Sequence, residues 1–345
     1  MTKQVFPLNH VGYERHLIHT RERHWAETNC YVDVWIELLH AWGFDPLAAM
    51  PFTVALDFEG DQWTFFKFPH ADLRDLYGLE VQELAIWRPL VKHVEEQVGM
   101  GRPVLVELDS YYLPDTEGTA YRREHTKSTV AIIQIDVDAQ RLGYFHGQGY
   151  YELQGEDFVQ VFRLAGPIDP AMLPPYVEIV KRRPNREVTR QRLARTSFSL
   201  LKRQLALIPE SNPFVKFKPR FEADLQWLTH ESLEVFHQYS FATLRQFGAC
   251  YEMAALYLDW LEERGITGLN PARDAFNMLS TGAKTLQFQL ARAMARKKPL
   301  SLTPLDDLAV AWQTAMDFLK SRVEIERTSD GDEHELASAC AGADA

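Results

Sequence analysis

Between residues 166 and 190 the chain gathers Gly166, Pro167, Pro170, Pro174, Pro175 and Pro184, with Lys181, Arg182 and Arg183 among them. Breakers crowded in this way mark a boundary, and the patterning changes across it. Before it, Pro103–Asp109 (PVLVELD) and Ser128–Ile135 (STVAIIQI) are short β-branched runs that read as buried strands. After it, apolar residues recur at helical spacing over 188–207, 220–239, 241–264, 271–296 and 304–323, as Leu244, Phe247, Met253 and Leu256 do. A chain of 345 residues also exceeds the roughly 250–300 at which a single core stops growing. The expectation is an α+β protein with a mixed domain over 1–165 and a linker over 166–190. An all-helical bundle over 191–323 follows, then a small, acidic tail over 324–345 that reads as disordered.

Finer patterning divides the first half. Thr28 or Asn29 can cap a helix in which Val32, Trp35, Ile36, Leu39 and Trp42 share a face and Asp33 and Glu37 lie on the polar one. Gly43 and Asp45-Pro46 end it. Residues 51–70 mix aromatics with Asp57, Glu59 and Asp61, an ordered excursion with one short strand around Trp63–Phe68. Short helices are expected over 72–77, 90–98 and 157–163, and further strands at Val81–Ile86, Leu142–Phe145 and Tyr150–Leu153.

Charge and cysteine usage limit the function classes. Lys and Arg number 37 against 48 Asp and Glu, a net charge of −11, which argues against a general affinity for nucleic acid or an anionic membrane. Met1–Arg23 is rich in His and Arg and lacks the apolar core of a signal peptide. No stretch approaches the roughly eighteen apolar residues of a membrane span. A cytoplasmic protein without nucleic-acid or membrane partners is expected. Cys30, Cys250 and Cys340 are too few and too scattered for a disulfide framework and contain no CxxC pair, so no thiolate metal site is expected. His16 and His19 have ligand-like spacing, but no metal pattern is completed around them. A polar arm folded over the first domain is the simpler reading.

Cys30 stands where the helix begins. A helix N-terminus carries partial positive charge and unpaired N–H groups, which favour thiolate and can receive an oxyanion. The nucleophile needs a base, and His125 lies just ahead of the strongest strand. A third, orienting group is expected after the next strand, at His146-Gly147-Gln148, where His146 or Gln148 would take the place of the usual Asn or Asp. Cys250 falls in a helical stripe with Phe247, Tyr251 and Ala254 and reads as core; Cys340 reads as incidental.

The stretches ETNCYVDVWIELLHAWGFDP, GRPVLVELDSYYLP and HTKSTVAIIQID resemble papain-like cysteine proteins related to the bacteriocin-leader peptidases. They look closest to the branch that contains the butirosin-biosynthesis acyltransferase. The NCYVD and DFEGDQWTFFKFP signatures also resemble an uncharacterised bacterial family associated with amino acid:carrier-protein ligases. The resemblance covers roughly residues 20–165 and, loosely, the helical half. It implies a papain-like cysteine domain followed by a helical bundle. It further implies a cysteine-dependent acyltransferase in which Cys30, helped by His125, moves an acyl or aminoacyl group from a carrier-protein thioester to an amine. No cofactor would be bound; the phosphopantetheine would arrive on an acyl or aminoacyl carrier protein, loaded by a ligase of the same pathway. A cysteine amidase or peptidase, and a non-catalytic carrier-protein-binding module, are the alternatives. Leader peptidases place a Gln shortly before the Cys for the oxyanion hole. Here His24-Trp25-Ala26-Glu27 stands instead, so Thr28, Asn29 or backbone groups would donate.

Candidate substrate contacts are Asn29, Gln148, Asp57 of the acidic loop, and Asp109, Tyr111 and Tyr112 at the end of the first strong strand. The basic run Lys181, Arg182, Arg183, Arg186, Arg190, Arg192 and Arg195 reads either as a docking surface for an acidic carrier or as a solvated face.

Overall fold

The computed structural model describes residues 1–166, 173–183, 188–297 and 299–341, of 324–341 the backbone only. It resolves into two compact units, the first made of Met1–Ala49 and Lys67–Thr189, the second of Met50–Phe66 and Arg190–Ala345.

The first unit contains β1 (Lys3–Gln4), α1 (Leu17–Thr20), α2 (Cys30–Ala41), α3 (His70–Tyr77), β2 (Leu79–Glu83), α4 (Leu90–Gly99), β3 (Val104–Asp109), β4 (Lys127–Asp136), β5 (Arg141–His146), β6 (Gly149–Gln154), α5 (Glu156–Val161) and β7 (Val177–Arg182). The described strands form one antiparallel sheet in the order β2-β7-β3-β4-β5-β6. The short β1 pairs with β4 beyond the end of β3. The sheet and the helical second unit make the protein α+β. The strand β7 differs from the sequence expectation. It lies in the proline-rich stretch read as linker, yet it sits between β2 and β3. Val177 and Ile179 join the core cluster, while Glu178 points the other way. That single carboxylate breaks the apolar run, which is why the segment does not read as an interior strand.

Period-2 alternation gives the sheet two faces. Val104, Val106, Leu108, Val130, Ile132 and Tyr144 pack with Leu90, Val94, Val98 and Phe158 of α4 and α5. The alternate residues meet α2. Thr129 contacts Cys30, Glu178 accepts from the Tyr31 hydroxyl at 2.9 Å, and Phe145 meets Tyr13, whose hydroxyl donates to Glu37. α2 begins where expected because the Asn29 side chain accepts from Val32 N–H at 2.9 Å. One position in β5 must be glycine. A Cβ on Gly143 would stand 2.1 Å from the Tyr150 hydroxyl, itself fixed by a 2.9 Å bond to buried Gln134. Gly143→Ala should cost about 1–3 kcal/mol by overpacking, read as a lowered urea midpoint with an unchanged slope.

The second unit is helical, with α6 (Arg190–Leu205), α7 (Pro213–Leu228), α8 (Leu233–Ala242), α9 (Leu244–Glu262), α10 (Asn270–Arg296) and α11 (Thr303–Ala341). The helix expected over 220–239 is two helices. Asn212 caps α7 seven residues earlier than the periodicity suggests, with Pro213 at its first position, and Ser232 caps α8. α9 is buried almost throughout. Cys250 is core as expected, its thiol pushed far up by burial and directed at the Thr53 carbonyl at 3.5 Å. Phe288 is exposed, with Lys284 over its ring. The backbone of α11 runs to Ala341, through most of the stretch read as a disordered tail; Glu, Ala and Leu in that stretch all favour helix.

The excursion 51–70 forms no strand around Trp63–Phe68; the ladder there is a single bridge, Phe58↔Trp63. Its part up to Phe66 belongs to the helical unit. Trp63 is buried against Phe214, Phe217 and Phe247, with ring centroids 4.9–5.4 Å apart. Among the described residues no helix is long and apolar enough to cross a membrane.

Candidate functional site

β3 and β4 run side by side until Asp109 pairs with Lys127, and the chain between them forms a loop that ends in His125. Asp109 organises this loop. Its Oδ1 accepts from Tyr111 N–H at 3.0 Å, turning the chain into a short 3-10 helix over Ser110–Tyr112. Its Oδ2 accepts from His125 Nδ1 at 2.6 Å. A carboxylate only accepts, so the proton is placed on Nδ1 and Nε2 carries the lone pair. The imidazole stacks on Tyr111 (centroids 4.3 Å apart, 10° between planes) and meets Tyr112 edge-on. Its side chain is 64% exposed, and among the described residues Nε2 has no hydrogen-bond partner. His125, Asp109 and Tyr112 line a cleft of about 650 Å³ with Trp87, Leu108 and Phe162. The structure thus brings together four of the residues singled out from the sequence: Asp109, Tyr111, Tyr112 and His125.

Arg122 braces this group and was not legible beforehand. It ion-pairs with Asp157 at 2.6 Å, lies over the rings of Tyr111, Tyr112 and Tyr121, and donates its N–H to the Tyr111 carbonyl. It does so from a left-handed backbone conformation, φ 56°, that a non-glycine residue adopts at a cost.

Among the described residues, Cys30 is not bonded into this group. Its thiol donates to Thr129 Oγ1 at 3.8 Å, on the α2 face of the sheet, and no hydrogen bond joins it to His125 among the described residues. His146 does not orient a base for Cys30. It pairs across the sheet with Val130, so its side chain lies on the face opposite α2, where it bonds Asp115 and Ser128. Alternation separates the two groups: Ser128 and Thr129 are neighbours that point to opposite faces. Of the candidate substrate contacts, Asn29 is buried and caps α2, and the Gln148 amide donates to the Ala26 carbonyl. Asp57 belongs to the second unit and ion-pairs with Lys216 at 2.6 Å.

The basic run is partly occupied. Lys181 donates to Gln82, Arg183 pairs with Glu80 and Arg182 covers Phe44, while Arg186 lies outside the described residues. His16 and His19 do not share a ligand set. His16 caps α1, accepting from Ile18 N–H, and burial holds its imidazole down near a pKa of about 4. The His19 ring is fully buried between Glu37 (2.5 Å) and Asp33 (3.3 Å). Both carboxylates were assigned to the polar face of α2, and both are buried. Among the described residues no group of three or more His, Cys, Asp or Glu side chains is arranged to hold a metal.

The molecule is therefore an α+β protein with an exposed Asp–His pair at the rim of an aromatic cleft in its first unit. Residues 14–182 match the DUF1839 N-terminal domain and residues 190–321 the DUF1839 C-terminal domain, so the chain belongs to the DUF1839 family. Comparison with curated proteins finds none that matches it.

Proposed function

We propose that this protein is an acyltransferase whose general base is His125, held by Asp109, and that it moves an acyl or aminoacyl group from a thioester to an amine in the cleft. One observation carries the reading: an imidazole with Nδ1 bonded to a carboxylate, Nε2 open, and its ring fixed against Tyr111 at the cleft rim. As the amine nitrogen attacks the thioester carbonyl carbon, Nε2 takes the amine proton. The C–S bond then breaks and the proton passes to the leaving thiolate, a general-base route that typically contributes 10²–10⁴ in rate. The aromatic lining suits a slender pantetheine arm, and the sequence resemblance to acyltransferases of carrier-protein pathways supports that donor. A carrier protein and its ligase are the partners this reading implies.

A second reading has its own observation. Cys30 is partly exposed at the start of the capped, 12-residue α2, where backbone N–H groups of the first turn can receive an oxyanion; transfer through an acyl-Cys30 intermediate would use it. Aminoacyl-pantetheine thioesters offered with amines should give amide product, with little free acid from water. Hydrolysis alone would move the reading to a hydrolase, and no thioester consumption across such a panel would sink it.

A further inference from the structure

The face of the sheet opposite Cys30 holds a second set of groups in catalytic geometry. His146 Nδ1 lies 2.5 Å from Asp115 Oδ2, and its Nε2 lies 2.6 Å from Ser128 Oγ. The carboxylate only accepts, so Nδ1 bears the proton, Nε2 is the acceptor, and the Ser128 hydroxyl donates to it. The other oxygen of Asp115 accepts from the Tyr144 hydroxyl at 2.5 Å. Burial, with the Asp115 charge added, keeps that phenol protonated. Asp115 sits in the short 3-10 helix Pro114–Thr116, which is tied back by the Thr116 hydroxyl to the Ser110 carbonyl. The Asp115 and His146 side chains are 5% and 12% exposed, so the relay is shielded, while Ser128 remains partly open. The β5 register begins at Val130↔His146, so Lys127, Ser128 and Thr129 extend past β5 with β3 alone beside them.

We propose that Ser128 is a reactive serine, activated by His146 and oriented through Asp115, that accepts acyl groups from activated esters. Ser128 Oγ forms a bond to the acyl carbon as its proton moves to Nε2. The ester C–O bond breaks and the leaving alkoxide takes that proton. Water then adds to the acyl-serine, with Nε2 taking its proton and returning it to Oγ as the acid departs. Asp115 acts only by holding the ring, as a positioning residue. Among the described residues no hydrogen bond joins Ser128, His146 or Asp115 to His125.

The full chain treated with a fluorophosphonate probe tests this directly: Oγ–P forms, fluoride leaves and the proton passes to His146. Peptide mapping should find the adduct on Ser128. Ser128→Ala should abolish it, and His146→Ala should slow it about a hundredfold or more. Asp115→Asn should slow it and alter its pH profile, and His125→Ala should leave it unchanged. An unmodified Ser128 in the wild-type chain, or equal labelling in folded His146→Ala, overturns the proposal.

Discussion

His125→Ala is expected to lower the rate of acyl transfer by about 10²–10⁴ while leaving the fold intact. The two effects separate because of exposure. The side chain is 64% exposed, and surface substitutions usually move stability by no more than about 0.5 kcal/mol. Asp109→Asn should act through His125. It removes the charged acceptor at Nδ1 and disturbs the turn that Oδ1 holds at Tyr111. Its signature is a mixture of imidazole tautomers by nitrogen-15 NMR where the wild-type ring carries its proton on Nδ1. A rate in His125→Ala equal to wild type would remove the base from the mechanism.

The second large effect concerns stability. His19→Ala should cost about 3–5 kcal/mol, the range for breaking a buried ion pair from one side. Asp33 and Glu37 would be left facing each other inside the first unit. Tyr13 and the His16 N–H donate to Glu37, and the Thr28 N–H to Asp33, but these donors bring no positive charge. The pH dependence has a definite sign. Burial alone would lower the His19 pKa, but its hydrogen bonds to Asp33 and Glu37 outweigh burial, and the net shift is upward. Its contribution is therefore fully present below the ordinary histidine range and is lost as pH rises through the folded-state pKa. In His19→Ala the two carboxylates can relieve their repulsion only by taking up a proton. The variant should thus be closest to its own best stability in mild acid and lose it towards pH 8. Urea midpoints at pH 5 and pH 8 check this; a variant equally stable at both would show that the carboxylates are not left charged and buried.

Much of the fold was legible because single elements carry strong local signals. The β-branched runs at β3 and β4, the Asn29 cap and the helical stripes of the second half each announce themselves. β7 was hidden because prolines flank it and Glu178 interrupts its apolar alternation. Residues 50–66 read as part of the first domain because nothing local says that Trp63 packs with Phe214, Phe217 and Phe247. The site was half legible. Asp109, Tyr111, Tyr112 and His125 are joined by one turn of chain, so proximity in sequence becomes proximity in space. Pairing Cys30 with His146 depended on which face each strand residue takes, and a one-residue difference between Ser128 and Thr129 decides it. The clamp on His19 did leave a trace: Asp33 and Glu37 at i, i+4 in an otherwise apolar helix.

The most direct test of direct transfer by His125 mixes the full chain with an aminoacyl-pantetheine thioester and an amine, quenches in acid, and measures both amide product and intact protein mass. Wild type, Cys30→Ala and His125→Ala are run side by side. Amide is predicted in wild type and Cys30→Ala, none above background in His125→Ala, and no acyl adduct on the wild-type chain that Cys30→Ala removes. An adduct on Cys30, with amide formation lost in Cys30→Ala, would contradict it and place the chemistry on the thiol instead.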